Sequence, residues 1–385
     1  MNKSAHLRLL ERIAAEVREP PAGSPSARCA FADLVYTTYY LGETSAATQA
    51  RFKDTATAIV LREDAAFGAT LRAANRGRGF SEEGWRVVGS RDGGLIVRKD
   101  RISLLARAGD LARRSDDGWV TVRFPNERPY AYPDYYLAIG DGGPPPPSGA
   151  ASMVRIYFNV SPSGATRLLS AVTSTMGATL GRFAMKLLNH PQSYGRPDAA
   201  VAYVLRDDMG RALSLLGGVL RETGPHLEEA VPAFTLRLCR GVGLAEDPAG
   251  EGTRMSFGQH RAFVVATGLA RALEDGAADA EARLHFIVRE LEAADIDPAH
   301  PYCRRTSLEG FHAEVERHIG ALEDAGNEHP PDVSPEGRAS RPNVSPEGRA
   351  SHPPVAAQAG GPEGASYADA SGLRPSRGRL RARRA

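Results

Sequence analysis

The 385-residue sequence predicts an α+β protein, with a mixed β-sheet flanked by helices, a smaller N-terminal helical/β subdomain and a disordered C-terminal tail. Two patterns and one change of texture carry that expectation. Segments such as "VRIYF", "FAMKLL" and "AAVAYVL" have strand length and strand periodicity, and they are interleaved with longer runs of helical period. Earlier in the chain, "GGLIVRK" and "GWVTVRF" are short strands set among Gly- and Asp-rich turns. From Gly326 the composition collapses into Pro, Gly, Ser, Ala and Arg, which bury too little apolar surface to offset ordering entropy.

Residues 1–143 make the N-terminal subdomain. Its opening, "MNKSAHLRLLERIAAEVREPP", sets Leu and Ile at helical spacing among charges and lacks a signal-peptide core. Helices continue to about Asn75 and short strands follow. Residues 144–152, within "GDGGPPPPSGAAS", read as a Pro/Gly linker stiffened by its prolines. Residues 153–325 form the core. In "MVRIYFNV", Val154, Ile156, Phe158 and Val160 share one face of a strand, while Arg155, Tyr157 and Asn159 share the other. Ser161-Pro162 then opens a helix running to about Thr175.

"RFAMKLL" repeats the strand pattern, with Phe183, Met185 and Leu187 on one side and Arg182 and Lys186 on the other. Its loop, "NHPQSYGRPD", carries His190, Tyr194, Arg196 and Asp198 before the strand "AAVAYVL". If both strands lie in one sheet, their polar faces form a shared basic surface. Farther on, Ser256 and Gln259 make a capping box that starts the helix "FGQHRAFVVATGLARAL". His260 and Arg261 fall in its first turns, where unpaired N–H groups and the dipole favour an anion. "LEGFHAEVERHIGALED" reads as one helix with His312 and His318 solvated. Residues 326–385 hold the duplicated "VSPEGRAS" and end on the basic tip "SRGRLRARRA". Both read as parts of a solvated, disordered tail.

Bulk properties narrow the function classes. A formal charge of +2 gives no general reason to expect nucleic acid or an anionic membrane. No apolar run approaches the ~20 residues of a membrane span, and the expected setting is the cytoplasm. Cys29, Cys239 and Cys303 are far apart and lack C-x-x-C spacing, so neither a disulfide framework nor a metal site is signalled. G-x-S-x-G, H-E-x-x-H and kinase signatures are missing. What remains is a basic site for an anion. Each part also has a plainer reading: a half-exposed sheet with a solvated polar face, a structural Arg196–Asp198 pair, and a capped helix with exposed His260 and Arg261.

An ordered set of segments resembles the HopA-type bacterial effector family. The set comprises "LRAANRGRGFSEEGWRVV", "PNERPYAYPDYYLAIGDG", "VRIYFNVSPSGATRLLSAVT", "FAMKLLNHPQSYGRPDAAVAYV", "SFGQHRAFVVATGLARAL" and "DPAHPYCRRTS". The resemblance spans roughly residues 30 to 310 and departs from the family pattern at Ala184, Cys303 and Arg304. Members of this family also serve as the lyase component of split (class V) lanthipeptide synthetases. The resemblance therefore implies a cofactor-independent, metal-free phosphoserine/phosphothreonine lyase, with residues 153–325 as the lyase core. Its substrate would be a phosphorylated ribosomal precursor peptide, and its products dehydroalanine or dehydrobutyrine. A separate kinase-like protein would supply the phosphate, and a cyclase is a further candidate partner.

Under that reading Lys186 is the base, its pKa lowered by desolvation and neighbouring cations. His260 is the acid, with His190 as second choice. Arg196 and Arg261 clamp phosphate, Arg155 is a third phosphate ligand, and Tyr157, Asp198 and Tyr302 orient peptide or phosphate. Two alternatives stand beside the enzyme: a non-catalytic peptide- or kinase-binding protein of the same pathway, and a type III effector-like protein.

Overall fold

The structure, a computed structural model, describes residues 4–21, 26–42, 64–129, 131–132, 134–146, 152–248 and 255–327. The chain divides into two compact units, Met1–Val333 and Ser334–Ala385. The second unit lies outside the described residues, as do the repeat and the basic tip.

The first unit opens with α1 (Ala5–Glu16), where the Ser4 hydroxyl accepts from Leu7 N and Leu10, Ile13 and Ala14 form the buried stripe. Helix α2 (Ala27–Leu34) continues directly into a π-helix, Val35–Tyr40, which presents Tyr36 and Tyr40 on one side with their rings stacked 5.3 Å apart. Asp64 caps α3 (Ala65–Ala74). Five strands follow: β1 (Phe80–Arg91), β2 (Gly94–Lys99), β3 (Ile102–Ala106), β4 (Leu111–Arg114) and β5 (Trp119–Phe124). They form an antiparallel sheet in the order β3-β2-β1-β5-β4. Trp85, Val97, Ala106, Val120 and Val122 build a small core on one face of it.

The larger sheet holds β6 (Tyr135–Ile139), β7 (Met153–Phe158), β8 (Phe183–Leu188), β9 (Ala200–Leu205), β10 (Leu236–Cys239) and β11 (Val242–Glu246), in the order β10-β11-β7-β9-β8-β6. The α+β class is as expected, but every neighbouring pair in this sheet is antiparallel rather than mixed. The reason lies in the order. Strands β7 and β8, joined by α4 (Ala165–Thr179), run the same way, as strand–helix–strand alternation suggests. Strand β9 inserts between them, so no parallel neighbours result.

Helices α4 and α5 (Met209–Thr223) cover one face, over β8 and β9 respectively. Val154, Ile156, Phe158, Phe183, Met185 and Leu187 are buried there, as their alternation requires. On the far side, α2 and the π-helix pack along α6 (Phe257–Glu274), which also packs on α7 (Ala280–Ala293). The stretch read as one helix from Leu308 is two, α8 (Leu308–Glu316) and α9 (Ile319–Asn327), separated by a turn at Arg317–His318. Helix α9 therefore runs two residues into the stretch expected to be disordered. Strand β6 precedes the Pro/Gly segment yet pairs with β8, so the large sheet draws strands from both sides of it. No helix among the described residues is long and apolar enough to cross a membrane.

Glycine is needed at Gly258, in the first turn of α6. A Cβ there would lie 2.4 Å from the Tyr40 ring, so only glycine lets the π-helix dock so closely. Gly258→Ala should push Tyr40 aside and lower unfolding stability by about 1–3 kcal/mol, readable as a fall in denaturant midpoint with an unchanged slope.

Candidate functional site

The candidate residues on β7 and β8 do share a face. Register pairs Arg155 with Tyr203, and Val201 lies between Tyr157 and Lys186 in the next row. Lys186 is flanked on its other side by Leu137 of β6. This face is not solvated: all six residues of β7 are buried, with Arg155 at 6% and Tyr157 at 1% exposure.

The loop after β8 brings two more charges to it. Arg196 Nε and Nη2 reach the Asp198 carboxylate at 2.5 and 2.9 Å, a bidentate pair with both side chains largely buried. The Tyr194 hydroxyl, donating to Leu188 O at 2.9 Å, pins the loop, and Phe67 packs edge-on against the Tyr194 ring. Burial alone would raise the Asp198 pKa, but Arg196 and Lys186 outweigh it and hold the carboxyl below its usual range.

The same balance corrects the expectation for Lys186. Burial does pull its pKa down, but Tyr203, Tyr135 and Asp198 more than reverse this, and the net shift is upward. Its Nζ lies 4.2 Å from the centre of the Tyr135 ring, a cation–π contact that also favours the ammonium. Lys186 is a cation at rest, not a primed amine.

Arg155 pairs with Asp247 at 2.5 Å, and its guanidinium lies 5.2 Å from the centre of the Tyr203 ring. Its Nε and the neighbouring Tyr157 Oη are buried without a hydrogen-bond partner of good geometry among the described residues. The Tyr40 and Tyr157 hydroxyls do approach one another as hydrogen-bonding groups, but outside the geometry that would satisfy Tyr157 Oη. Burial pushes the Tyr157 phenol up to about 12, against the pull of Arg155, so it stays a neutral donor. Buried polar groups are normally satisfied, so two adjacent orphan donors beside Lys186 mark a place suited to an acceptor-rich anion. Tyr36 faces the same group of charges: burial raises its pKa, Asp198 adds to the rise, and Arg196 and Lys186 oppose it.

The helix that starts at Ser256 has its capping box as expected, but the two residues behind the cap do other work. Arg261 is 2% exposed, donates from Nε to Pro301 O at 2.6 Å and stacks over Phe257. Burial pulls it down to about 10, opposed by Cys303, Glu246 and Tyr157. It anchors the segment after α7 rather than offering a phosphate clamp. His260 Nδ1 accepts from Arg261 at 2.8 Å, since a guanidinium can only donate. Burial, then Arg261, pull its pKa to about 4. The expected acid is thus a neutral imidazole at neutral pH. Neither residue has a hydrogen bond, ion pair or ring contact with Lys186, Arg196 or Asp198. Phe257, 6.3 Å from Tyr157 ring to ring, lies between the two groups.

His190 is buried and caps the short turn after it, its Nδ1 accepting from Gln192 N at 3.2 Å. Tyr302 lies elsewhere, bonded through its hydroxyl to His312 Nε2 at 2.5 Å and flanked by His6 and His300. His312 is accordingly not a free, solvated helix residue. The residues that sequence reasoning passed over are Tyr36, Tyr40, Tyr135, Tyr203 and Asp247. Alternation in "AVAYVL" could have placed Tyr203 beside Arg155; the loop and π-helix contacts carry no local signal. Among the described residues, no group of His, Cys, Asp or Glu is arranged to hold a metal ion.

Residues 126–303 match the model of the HopA1 effector protein family. The HopA1 match takes in β6 to β11 and every site residue expected from the sequence, while Tyr36, Tyr40 and the five-stranded sheet precede it. The chain is similar in structure to the effector protein from Pseudomonas syringae pv. tomato strain DC3000, at 20% identity over 78% of this chain and 96% of that one, with a TM-score of 0.45. It is also similar to the effector protein from Pseudomonas syringae pv. syringae strain 61, at 16% identity over 78% and 95% of the two chains, with a TM-score of 0.40. No curated protein matches the sequence.

The Asp198 shift fixes the sign of a pH effect. A carboxylate whose folded pKa is depressed adds stability above its unfolded pKa of ~3.9, and that stability is lost as pH falls through the folded value. Asp198→Asn should cost about 3–5 kcal/mol near neutral pH and shrink the difference from wild type as both are acidified, measured by urea unfolding at several pH values.

Proposed function

We propose that the protein is a phosphoserine/phosphothreonine lyase acting on a phosphorylated ribosomal precursor peptide, as in lanthipeptide-type biosynthesis. The observation that supports this most is the convergence of Lys186, the Arg196–Asp198 pair and the unpartnered Arg155 Nε and Tyr157 Oη on one side of the sheet. In the proposed reaction the free amine of Lys186 removes the Cα proton of the phosphorylated residue. The Cα–Cβ double bond forms as the Cβ–O bond breaks, and phosphate departs with the bonding pair, leaving dehydroalanine or dehydrobutyrine. Arg155 and Tyr157 donate to the phosphate oxygens, and Arg196, held by Asp198, adds positive potential beside them. Tyr157, a neutral phenol near Lys186, takes the acid role first assigned to His260. In this reading a separate kinase-like protein phosphorylates the peptide in the cytoplasm, and a cyclase acts on the product.

One observation favours a second reading. A Lys186 that stays charged near neutral pH binds phosphate without removing a proton, which fits a non-catalytic phosphopeptide-binding protein. An effector-like role is the coarser alternative, and it rests on the HopA1 match.

Lys186→Arg separates the first two readings, because it keeps a cation and removes the base. A lyase should lose elimination by about 100-fold or more while phosphopeptide binding persists, with elimination followed as loss of phosphoric acid by mass spectrometry. Wild-type protein that binds phosphopeptide without ever releasing phosphoric acid would leave the binding reading. For the lyase, the raised Lys186 pKa also sets the pH profile. The free-amine fraction, and with it kcat/KM, should climb about tenfold per pH unit from neutrality into the alkaline range.

A further inference from the structure

The five-stranded sheet has an outer face and an edge left open among the described residues. On that face Arg86 stands directly opposite Arg98, and Trp119 stands opposite Arg86. Like charges directly opposite destabilise a sheet, so such a pair is retained against a cost. The carboxylates nearby do not relieve it. Glu82 is held by Lys99, Asp92 by Arg91, and Asp110 accepts from Arg107 N. Arg86, Arg98, Arg113 and Arg123 are exposed and have no ion-pair partner among the described residues, while Trp119 and Leu105 beside them are 43% and 45% exposed.

Strand β3 forms one edge of this sheet. Its sequence, "ISLLA", has no charge or proline, and Ile102 is 59% exposed. The opposite edge, β4, reads "LARR" and carries the charged guard that usually blocks strand pairing. The outward backbone groups of β3 have no hydrogen-bond partner among the described residues beyond its pairing with β2. Arg98 Nε donates to Ser103 Oγ at 3.1 Å, which lays the guanidinium across β3 toward this open edge. A strand added there would place a side chain beside Ser103 within reach of Arg98, and on its other face apolar ones beside Ile102 and Leu104.

We propose that β3 accepts an extended acidic peptide segment of a partner polypeptide as a sixth strand, with Arg98 pairing an acidic side chain opposite Ser103 and Arg86 supporting it. Main-chain hydrogen bonds supply the affinity and the arginines select the charge. A single exposed tryptophan is too little for a base-stacking platform, which needs aromatics for successive bases.

The test uses the full chain and a fluorescein-labelled peptide of about eight residues alternating Glu and Val. Anisotropy should show binding that weakens with salt, and hydrogen exchange should slow at residues 102–106. Arg98→Glu, with an unchanged thermal midpoint, should weaken binding by about tenfold or more and should prefer the matching Lys/Val peptide over the Glu/Val one. The inference is overturned if wild type binds the Lys/Val peptide equally well, or if Arg98→Glu leaves affinity unchanged. It is also overturned if 102–106 gain no protection, if a single-stranded oligonucleotide displaces the peptide, or if the chain already protects that edge by self-association.

Discussion

Three cationic side chains, Arg155, Lys186 and Arg196, are brought to one side of a buried sheet face, and the carboxylate of Asp198 makes that arrangement tenable. Moving an ion out of water costs several kcal/mol even after relaxation, and facing cations add repulsion to that cost. Asp198 is fixed by two hydrogen bonds to Arg196 and interacts with Lys186, so one buried anion offsets two cations. Asp247 does the same for Arg155 from the end of β11. The short Arg-Pro-Asp turn exists in the form it does because that pairing closes it. The loop would otherwise leave a guanidinium pointing into a face lined by tyrosine rings.

The consequence is a site whose net field is already positive before any ligand arrives. Tyrosines 36, 40, 135, 157 and 203 surround the charges, and burial keeps Tyr36, Tyr40 and Tyr157 as neutral phenols, which are donors rather than competing anions. Such a field suits a phosphate dianion well and suits a free lysine amine poorly. Any group that stabilises bound phosphate also stabilises the ammonium of Lys186. An elimination there has to draw on the small neutral fraction of that side chain, so binding strength and base strength oppose one another in this design.

Much of this was legible in the sequence, because strand alternation is a two-residue rule that local reading can apply. It placed Arg155, Tyr157 and Lys186 on one face correctly, and the capping box located the start of α6. What it missed depends on what lies across the gap. Arg261 looks exposed from its position behind a helix cap, but α6 is packed against α2 on one side and α7 on another, so its inner turns are buried. His260 then becomes an acceptor for that buried guanidinium rather than a titrating acid. The sheet direction failed for a similar reason, since strand order is a tertiary property and β9 inserts where no local pattern announces it. The sign of the Lys186 shift depended on Tyr135 and Tyr203, which come from two other strands.

The placement of Tyr135 bears on how the chain divides. A Pro/Gly run usually separates independent parts, and residues 144–152 look like such a boundary. Yet β6 lies before that run and forms the edge next to β8, setting the Tyr135 ring against the Lys186 ammonium. The cluster around Lys186 also includes Tyr36 from the π-helix, still earlier in the chain. A core that began at residue 153 would lack both rings and would leave β8 as an open edge with a lysine on it. The segments before the Pro/Gly run are therefore walls of the candidate site.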